Sequence, residues 1–189
     1  MYEVEVKVRA DHDAVRPRLD ELGAEFVRAV TQTDVYYDAP HRDFAETDEA
    51  LRVRREATEA DGGEPPAGDA VTKLTYKGPL LEAASKTREE HETSVADPDA
   101  LEGILHGLGF EPAATVEKHR EFHVVDGYTV TLDAVDGLGE FVEVERETTE
   151  ADVESAREGA IEVLSDLGLD ASDQIRTSYL GLLLADSAE

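Results

Sequence analysis

Residues Tyr2 to Arg9 alternate apolar and charged side chains with a period of two, which is the pattern of a β-strand. Tyr2, Val4, Val6 and Val8 share one face, while Glu3, Glu5, Lys7 and Arg9 share the other. The same alternation puts Arg52 with Arg54, Lys73 with Lys77, Lys86 with Arg88, Glu90 and Glu92, and Lys118 with Arg120. It also puts Thr131 with Asp133, and Phe141 with Glu143 and Glu145. The chain has 45 acidic and 18 basic residues among 189, a formal charge of −27, so an ordinary solvated face would be mostly acidic. Instead these faces hold ten of the 18 basic residues, including all five lysines. A single such strand fits an open sheet with one wet side. The whole set fits a closed barrel turned inside out, with apolar faces under outer helices and charged faces lining a lumen. Ions placed in a lumen need counter-ions, because an isolated buried charge costs several kcal/mol.

Turn and cap signals divide the chain into about eight strands and four helices. After the first strand, Asp11 or Asp13 caps a helix with the stripe Val15, Leu19 and Leu22, closed by Gly23. Strands are expected at 26–38, 50–55, 71–77, 86–95, 116–125, 128–133 and 140–146, with Asp126-Gly127 as a hairpin turn. A short helix after Asp97-Pro98, a longer one spanning Val153 to Leu167 and an apolar one around Tyr179 to Leu184 complete the set. The segment 56–70, rich in Gly, Pro and acids, reads as a mobile loop. At an offset of 86, Leu19, Leu22, Gly23 and Glu25 match Leu105, Leu108, Gly109 and Glu111, so a strand–helix–strand unit occurs twice. The expected architecture is a single α+β domain over 1–189: a closed or nearly closed antiparallel eight-stranded barrel with a charged lumen and outer helices.

Composition removes several function classes. A surface this acidic repels nucleic acid and anionic lipid. No long apolar run or charged-then-apolar leader is present, so neither a membrane span nor a signal peptide is expected, and the expected location is the cytoplasm. The acid excess is the usual mark of an organism adapted to high salt. With no cysteine there is no disulfide or thiolate site, and the six histidines show no zinc-ligand spacing. Gly137-x-Gly139 leads into a strand and lacks a third glycine, so it reads as a turn.

Several cations facing several carboxylates in one lumen suit a polyphosphate with divalent metal ions. Arg and Lys clamp phosphate oxygens, and clustered carboxylates hold hard cations. The motifs are specific at this point: Glu3-x-Glu5-x-Lys7, Gln32-x-Asp34-x-Tyr36-Tyr37-Asp38, Leu51-Arg52-x-Arg54 and Leu74-Thr75-Tyr76-Lys77-Gly78-Pro79. They continue with Lys118-x-Arg120, Asp133, Gly137-x-Gly139-x-Phe141-Val142-Glu143-Val144-Glu145 and Ser178-Tyr179-Leu180. In this order the chain resembles the CYTH superfamily, the triphosphate tunnel metalloenzymes, and within it the class IV adenylate cyclase-like branch.

That resemblance implies Glu3, Glu5, Asp133, Glu143 and Glu145 as metal-binding carboxylates, for one or two Mg²⁺ or Mn²⁺ ions. It implies Lys7, Arg52, Arg54, Lys77, Lys118 and Arg120 as the triphosphate clamp, with Glu3, Glu5, Lys7, Glu143 and Glu145 the catalytic set. Lys73, Arg88, Glu90 and Glu92 also face inward and are accessory groups or lumen counter-ions, while Arg176 is expected at the surface. Without metal, Glu143 and Glu145 are each expected to repel their neighbours. The implied activity is conversion of ATP to cyclic AMP and pyrophosphate. The same clamp would serve an inorganic tripolyphosphatase or a thiamine triphosphatase, and a different class of reading is a non-catalytic nucleotide- or polyphosphate-binding module. Monomer and homodimer both stay open.

Overall fold

The computed structural model of the chain describes residues 2–58, 70–79 and 88–186. Eight antiparallel strands close into a barrel in the order β1-β5-β4-β3-β2-β6-β7-β8. They are β1 (Tyr2–Arg9), β2 (Glu25–Asp38), β3 (Ala50–Thr58), β4 (Val71–Lys77), β5 (Arg88–Val95), β6 (Glu111–Val125), β7 (Tyr128–Val135) and β8 (Gly139–Thr148). Five helices accompany them: α1 (His12–Glu21), α2 (Phe44–Thr47), α3 (Pro98–Gly107), α4 (Val153–Asp166) and α5 (Tyr179–Asp186). The strand pattern does not signal α2, a single turn capped by Asp43. Of the expected loop 56–70, residues 56–58 extend β3, while 59–69 lie outside the described residues, as does Lys86. No helix of the described residues is long and apolar enough to cross a membrane.

The repeat seen at an offset of 86 is built into the backbone. Asp11 caps α1 and Asp97 caps α3 (11 + 86 = 97), each through a side-chain oxygen that accepts a backbone N–H. Both helices end in the same motif. Gly23 and Gly109 take positive φ, and the next N–H (Ala24 or Phe110) donates to Leu19 O or Leu105 O, at 2.9 Å in both cases. Down the β2–β6 pair, Gln32 lies opposite Lys118, its own equivalent (32 + 86 = 118). A local two-fold axis therefore runs between these residues and exchanges β1 with β5, β2 with β6, β3 with β7 and β4 with β8. Applying that exchange to the strand order returns the same ring read in reverse.

The alternation is inside out, as the sequence implies. Val4, Val6, Val8, Val142 and Val144 are at most 1% exposed. Val6, Val8, Val142 and Val144 pack with Val15 and Leu19 of α1 and with Ala160, Val163 and Leu164 of α4. Burying each such side chain contributes about 1.5–3 kcal/mol. The helical cover is one-sided, however. α4 lies on β1 and β8 and α1 on β8, whereas β5 keeps mostly exposed positions along its length. A second apolar cluster sits inside the lumen at one end, where Val116, Val135 and Phe141 receive Tyr179 of α5.

One packing contact gives a stability test. Gly159 lies inside α4, where alanine would ordinarily gain about 1 kcal/mol from helix propensity. A Cβ at that position would stand 2.8 Å from Cζ of Tyr128, a ring buried between α4 and the barrel. Gly159→Ala is expected to destabilise the protein by roughly 1–3 kcal/mol in urea unfolding, the usual cost of overpacking. A gain in stability would show that Tyr128 moves freely out of the way.

Candidate active site

The inward faces meet around a cavity of about 1150 Å³. Lys7, Arg52, Arg54, Lys77, Lys118 and Arg120 all line it, as do Glu3, Glu5, Glu143 and Glu145. Each comes from the lumen face of its strand, so a one-residue slip in any register would turn the group outward. Two bidentate ion pairs frame the centre. Arg54 donates from Nε and Nη2 to the two oxygens of Asp34, both at 2.6 Å. Arg120 donates from Nε to Asp133 Oδ1 at 2.5 Å, and from Nη2 to Asp133 Oδ2 and Glu143 Oε2 through very short contacts. The repeat axis relates these pairs with their charges exchanged: Asp34 is equivalent to Arg120 (34 + 86 = 120), and their cross-strand partners are Arg54 and Asp133.

The remaining cations have looser partners. Lys7 Nζ is 3.9 Å from Glu143 and Lys118 Nζ is 3.7 Å from Asp133, both too long for a hydrogen bond. Arg52 stands 3.9 Å from Asp34 and 3.6 Å from Glu92, and donates to Thr75 Oγ1 at 3.1 Å. Lys77 bridges Glu3 at 3.3 Å and Glu90 at 2.8 Å, and Lys73 meets Glu92 at 2.7 Å. Glu90 and Glu92 thus serve as lumen counter-ions. Arg88 lines the cavity too, but its guanidinium donates to the backbone O and the carboxylate of Asp48 and to Gly78 O. It holds the left-handed turn at Asp48 against the end of β4.

Burial and charge separate the acids. Burial alone would raise the pKa of Asp34, but Arg54, Arg52 and Lys118 hold it well below the usual carboxylate range. Glu143 is likewise lowered against its burial by Arg120, Lys7 and Lys118. Glu145 goes the other way: burial, then Glu3, Glu143 and Glu5, push it up to about 8 despite the opposing charge of Arg120. Among the described residues it meets no cation at ion-pair distance. The shared expectation that Glu143 and Glu145 both repel their surroundings is therefore right for Glu145 only. Lys118 is pulled down to about 8 by burial and by the neighbouring Arg120, with Asp133 opposing.

Asp133, expected among the metal ligands, is fully buried and paired: Arg120 donates to both of its oxygens, and the Tyr179 hydroxyl donates to Oδ2 at 2.8 Å. In this arrangement it holds Arg120 in place. Arg176 is exposed, as expected, and also borders the cavity together with Tyr179. Asp34 and Tyr179 were legible only as motif letters, since neither alternation nor charge distinguishes them in the sequence. The metal fit rests on the strain at Glu145. Four acids crowd there, and a divalent cation would relieve their repulsion. Among the described residues no three potential ligands are already gathered to hold a metal ion.

The sequence model described as CYTH domain matches residues 1–179. The "Putative adenylate cyclase MJ0240" of Methanocaldococcus jannaschii is 36% identical over 184 residues, covering 96% of this chain and 98% of its own. The PH1819 protein of Pyrococcus horikoshii superposes with a TM-score of 0.86 at 38% identity, over 97% of this chain and 99% of that one. At 19% identity the fold recurs, with a TM-score of 0.62 over 100% of this chain and 96% of that one, in HpAC1 of Hippeastrum. That protein is a putative adenylyl cyclase that reveals a dominant triphosphatase activity.

The opposite environments of the two β8 acids can be tested without any substrate. A carboxyl with a raised pKa favours the folded state below its unfolded value, near 4.5, and loses that contribution as pH rises through about 8. Without divalent cations, Glu145→Gln is expected to stabilise the protein at pH 8.5 by on the order of 2 kcal/mol, a gain that fades toward pH 5. Glu143→Gln leaves Arg120 and Lys7 short of a partner and is expected to cost roughly 3 kcal/mol across the same range. Thermal unfolding at several pH values checks both signs.

Proposed function

The chain belongs to the CYTH family, and we propose that it is a metal-dependent enzyme that binds a linear triphosphate along the charged tunnel. The observation that carries this reading is that Lys7, Arg52, Arg54, Lys77, Lys118 and Arg120 line the same barrel cavity as Glu3, Glu5, Glu143 and Glu145, in a chain of net charge −27. CYTH enzymes carry the names adenylate cyclase and triphosphatase, and in general depend on divalent metal.

In this reading Lys7, Arg52, Arg54, Lys77, Lys118 and Arg120 neutralise the phosphate chain and hold it in line by charge-assisted hydrogen bonds. Asp34 and Asp133 fix the planes of Arg54 and Arg120, so the outer guanidinium edges meet the ligand already oriented. Glu145 with Glu3 and Glu5 would hold Mg²⁺ or Mn²⁺, which when bound supplies charge for the phosphate oxygens. Lys118, with its pKa near 8, can hold or release a proton beside those oxygens close to neutral pH.

With ATP, attack of the ribose 3′-hydroxyl on the α-phosphorus gives cyclic AMP and pyrophosphate. This is the leading reading, and the name of the 36%-identical relative supports it. Attack of water on the terminal phosphorus gives a triphosphatase instead, and the same clamp supports that second reading. Product analysis with ATP, tripolyphosphate and thiamine triphosphate, each with Mg²⁺ or Mn²⁺, separates them. Cyclic AMP is expected from ATP; orthophosphate with the matching diphosphate and no cyclic AMP would establish the hydrolase, and turnover of none would defeat the enzyme reading.

The clamp itself is tested by calorimetry. Charged hydrogen bonds contribute about 1.5–3 kcal/mol each, so Lys118→Ala is expected to weaken tripolyphosphate binding roughly tenfold or more. Because Lys118 is cationic below about pH 8 and neutral above it, wild-type affinity should fall as pH rises past that value. Lys118→Arg, charged throughout, should flatten the profile. Unchanged affinity in the alanine variant would remove Lys118 from the site.

A further inference from the structure

The motif Ser178-Tyr179-Leu180 has no part in the clamp, yet Tyr179 stands where the two loosely paired lysines meet. Its ring centroid is 4.2 Å from Lys7 Nζ and 5.0 Å from Lys118 Nζ, both inside cation–π range. The ring is locked edge-on against Phe141, with centroids 4.9 Å apart, and Tyr179 is only 6% exposed. Its hydroxyl donates to Asp133 Oδ2, the oxygen nearest Lys118. The segment leading into α5 is tied to the same strand as Lys7, because Ile175 N donates to Lys7 O at 2.7 Å.

An ammonium group beside a buried carboxylate ordinarily closes to hydrogen-bond distance. Lys7 stops 3.9 Å from Glu143 Oε1, the oxygen that Arg120 leaves open, and Lys118 stops 3.7 Å from Asp133 Oδ2, which already accepts from Arg120 and from the Tyr179 hydroxyl. We propose that Tyr179 is a positioning residue: its one ring holds both the Lys7 and the Lys118 ammonium groups off their acidic neighbours, ready for the oxygens of one phosphate chain. The role rests on the reading of the tunnel as a triphosphate site. The bland alternative is that Tyr179 only anchors α5 in the apolar cluster with Val116, Val135 and Phe141. The two differ in which atoms matter. Positioning needs the aromatic face, whereas anchoring needs any large apolar group.

Tyr179→Phe keeps the ring and removes the hydroxyl, while Tyr179→Leu keeps apolar bulk and removes the ring. Two readouts are taken on the full chain: calorimetry with tripolyphosphate, and NMR of the lysine Cε–Hε groups without ligand. With five lysines in the chain, their signals are assigned by Lys→Arg replacement. Lys7 and Lys118 are expected to show upfield ring-current displacement in the wild type and in Tyr179→Phe, and to lose it in Tyr179→Leu while Lys73 and Lys77 stay in place. Affinity should remain within about threefold of wild type for the Phe variant and fall roughly tenfold for the Leu variant. A Leu variant that binds as the wild type does, or a Phe variant as weak as the Leu variant, overturns the proposal. The Phe result decides even if the Leu variant releases α5. A wild type that binds no tripolyphosphate defeats the reading of the tunnel instead. The lysine spectra then judge Tyr179 alone, and displacement unchanged in Tyr179→Leu overturns its role.

Discussion

The buried contact of Arg120 with Asp133 and Glu143 ties three adjacent strands, β6, β7 and β8, through one guanidinium. Taking these three ions out of water is expensive, and the expense is recovered only while every hydrogen bond is made. The surroundings are arranged accordingly. Tyr179 donates a further hydrogen bond to Asp133, Lys7 stands by the second oxygen of Glu143, and the valines behind β8 are sealed under α1 and α4. An apolar replacement of the triad could be as stable, but it would leave no oriented cation in the lumen. The charge is retained where chemistry needs it.

The two-fold repeat explains how one barrel presents unlike walls. The axis between Gln32 and Lys118 should give two equal halves, yet the equivalent pairs have exchanged sign. Arg52, Arg54, Lys73 and Lys77 make β3 and β4 a cationic wall. Their counterparts β7 and β8 carry Asp133, Glu143 and Glu145 instead, and with Glu3 and Glu5 of β1 they form an acidic one. A linear anion lying between the walls has cations on one side and the metal-favouring acids on the other. Duplicated backbone with divergent charge thus produces polarity across a nearly symmetric tunnel.

The lumen was largely legible because period-two alternation is rigid: once Val4, Val6 and Val8 point outward, Glu3, Glu5 and Lys7 have no choice. What alternation cannot supply is partner choice within a face. It groups Asp133 with Thr131 but does not say that Asp133 is spent on Arg120, and it treats Glu143 and Glu145 alike although one is paired and the other is not. β6 starts five residues before the expected 116, since Pro112 sits at a register shift against Tyr37, where no regular ladder is required. Leu22, expected on the buried stripe of α1, became the exposed C-cap instead, because the helix ends one residue earlier.

The barrel closes where β1 meets β8 and β5. β1 pairs with β8 along its whole length, Tyr2 through Arg9, and among the described residues it meets β5 at Tyr2↔Glu89 and Glu3↔Arg88. The full-length partner also comes last: Tyr2 lies opposite Thr148, a sequence separation of 146 residues. β1 therefore waits longest for this one neighbour, and loop-closure entropy makes that step slow. During synthesis β1 must wait, its valines unsheltered and its acids unmatched, until β8 and α4 have left the ribosome.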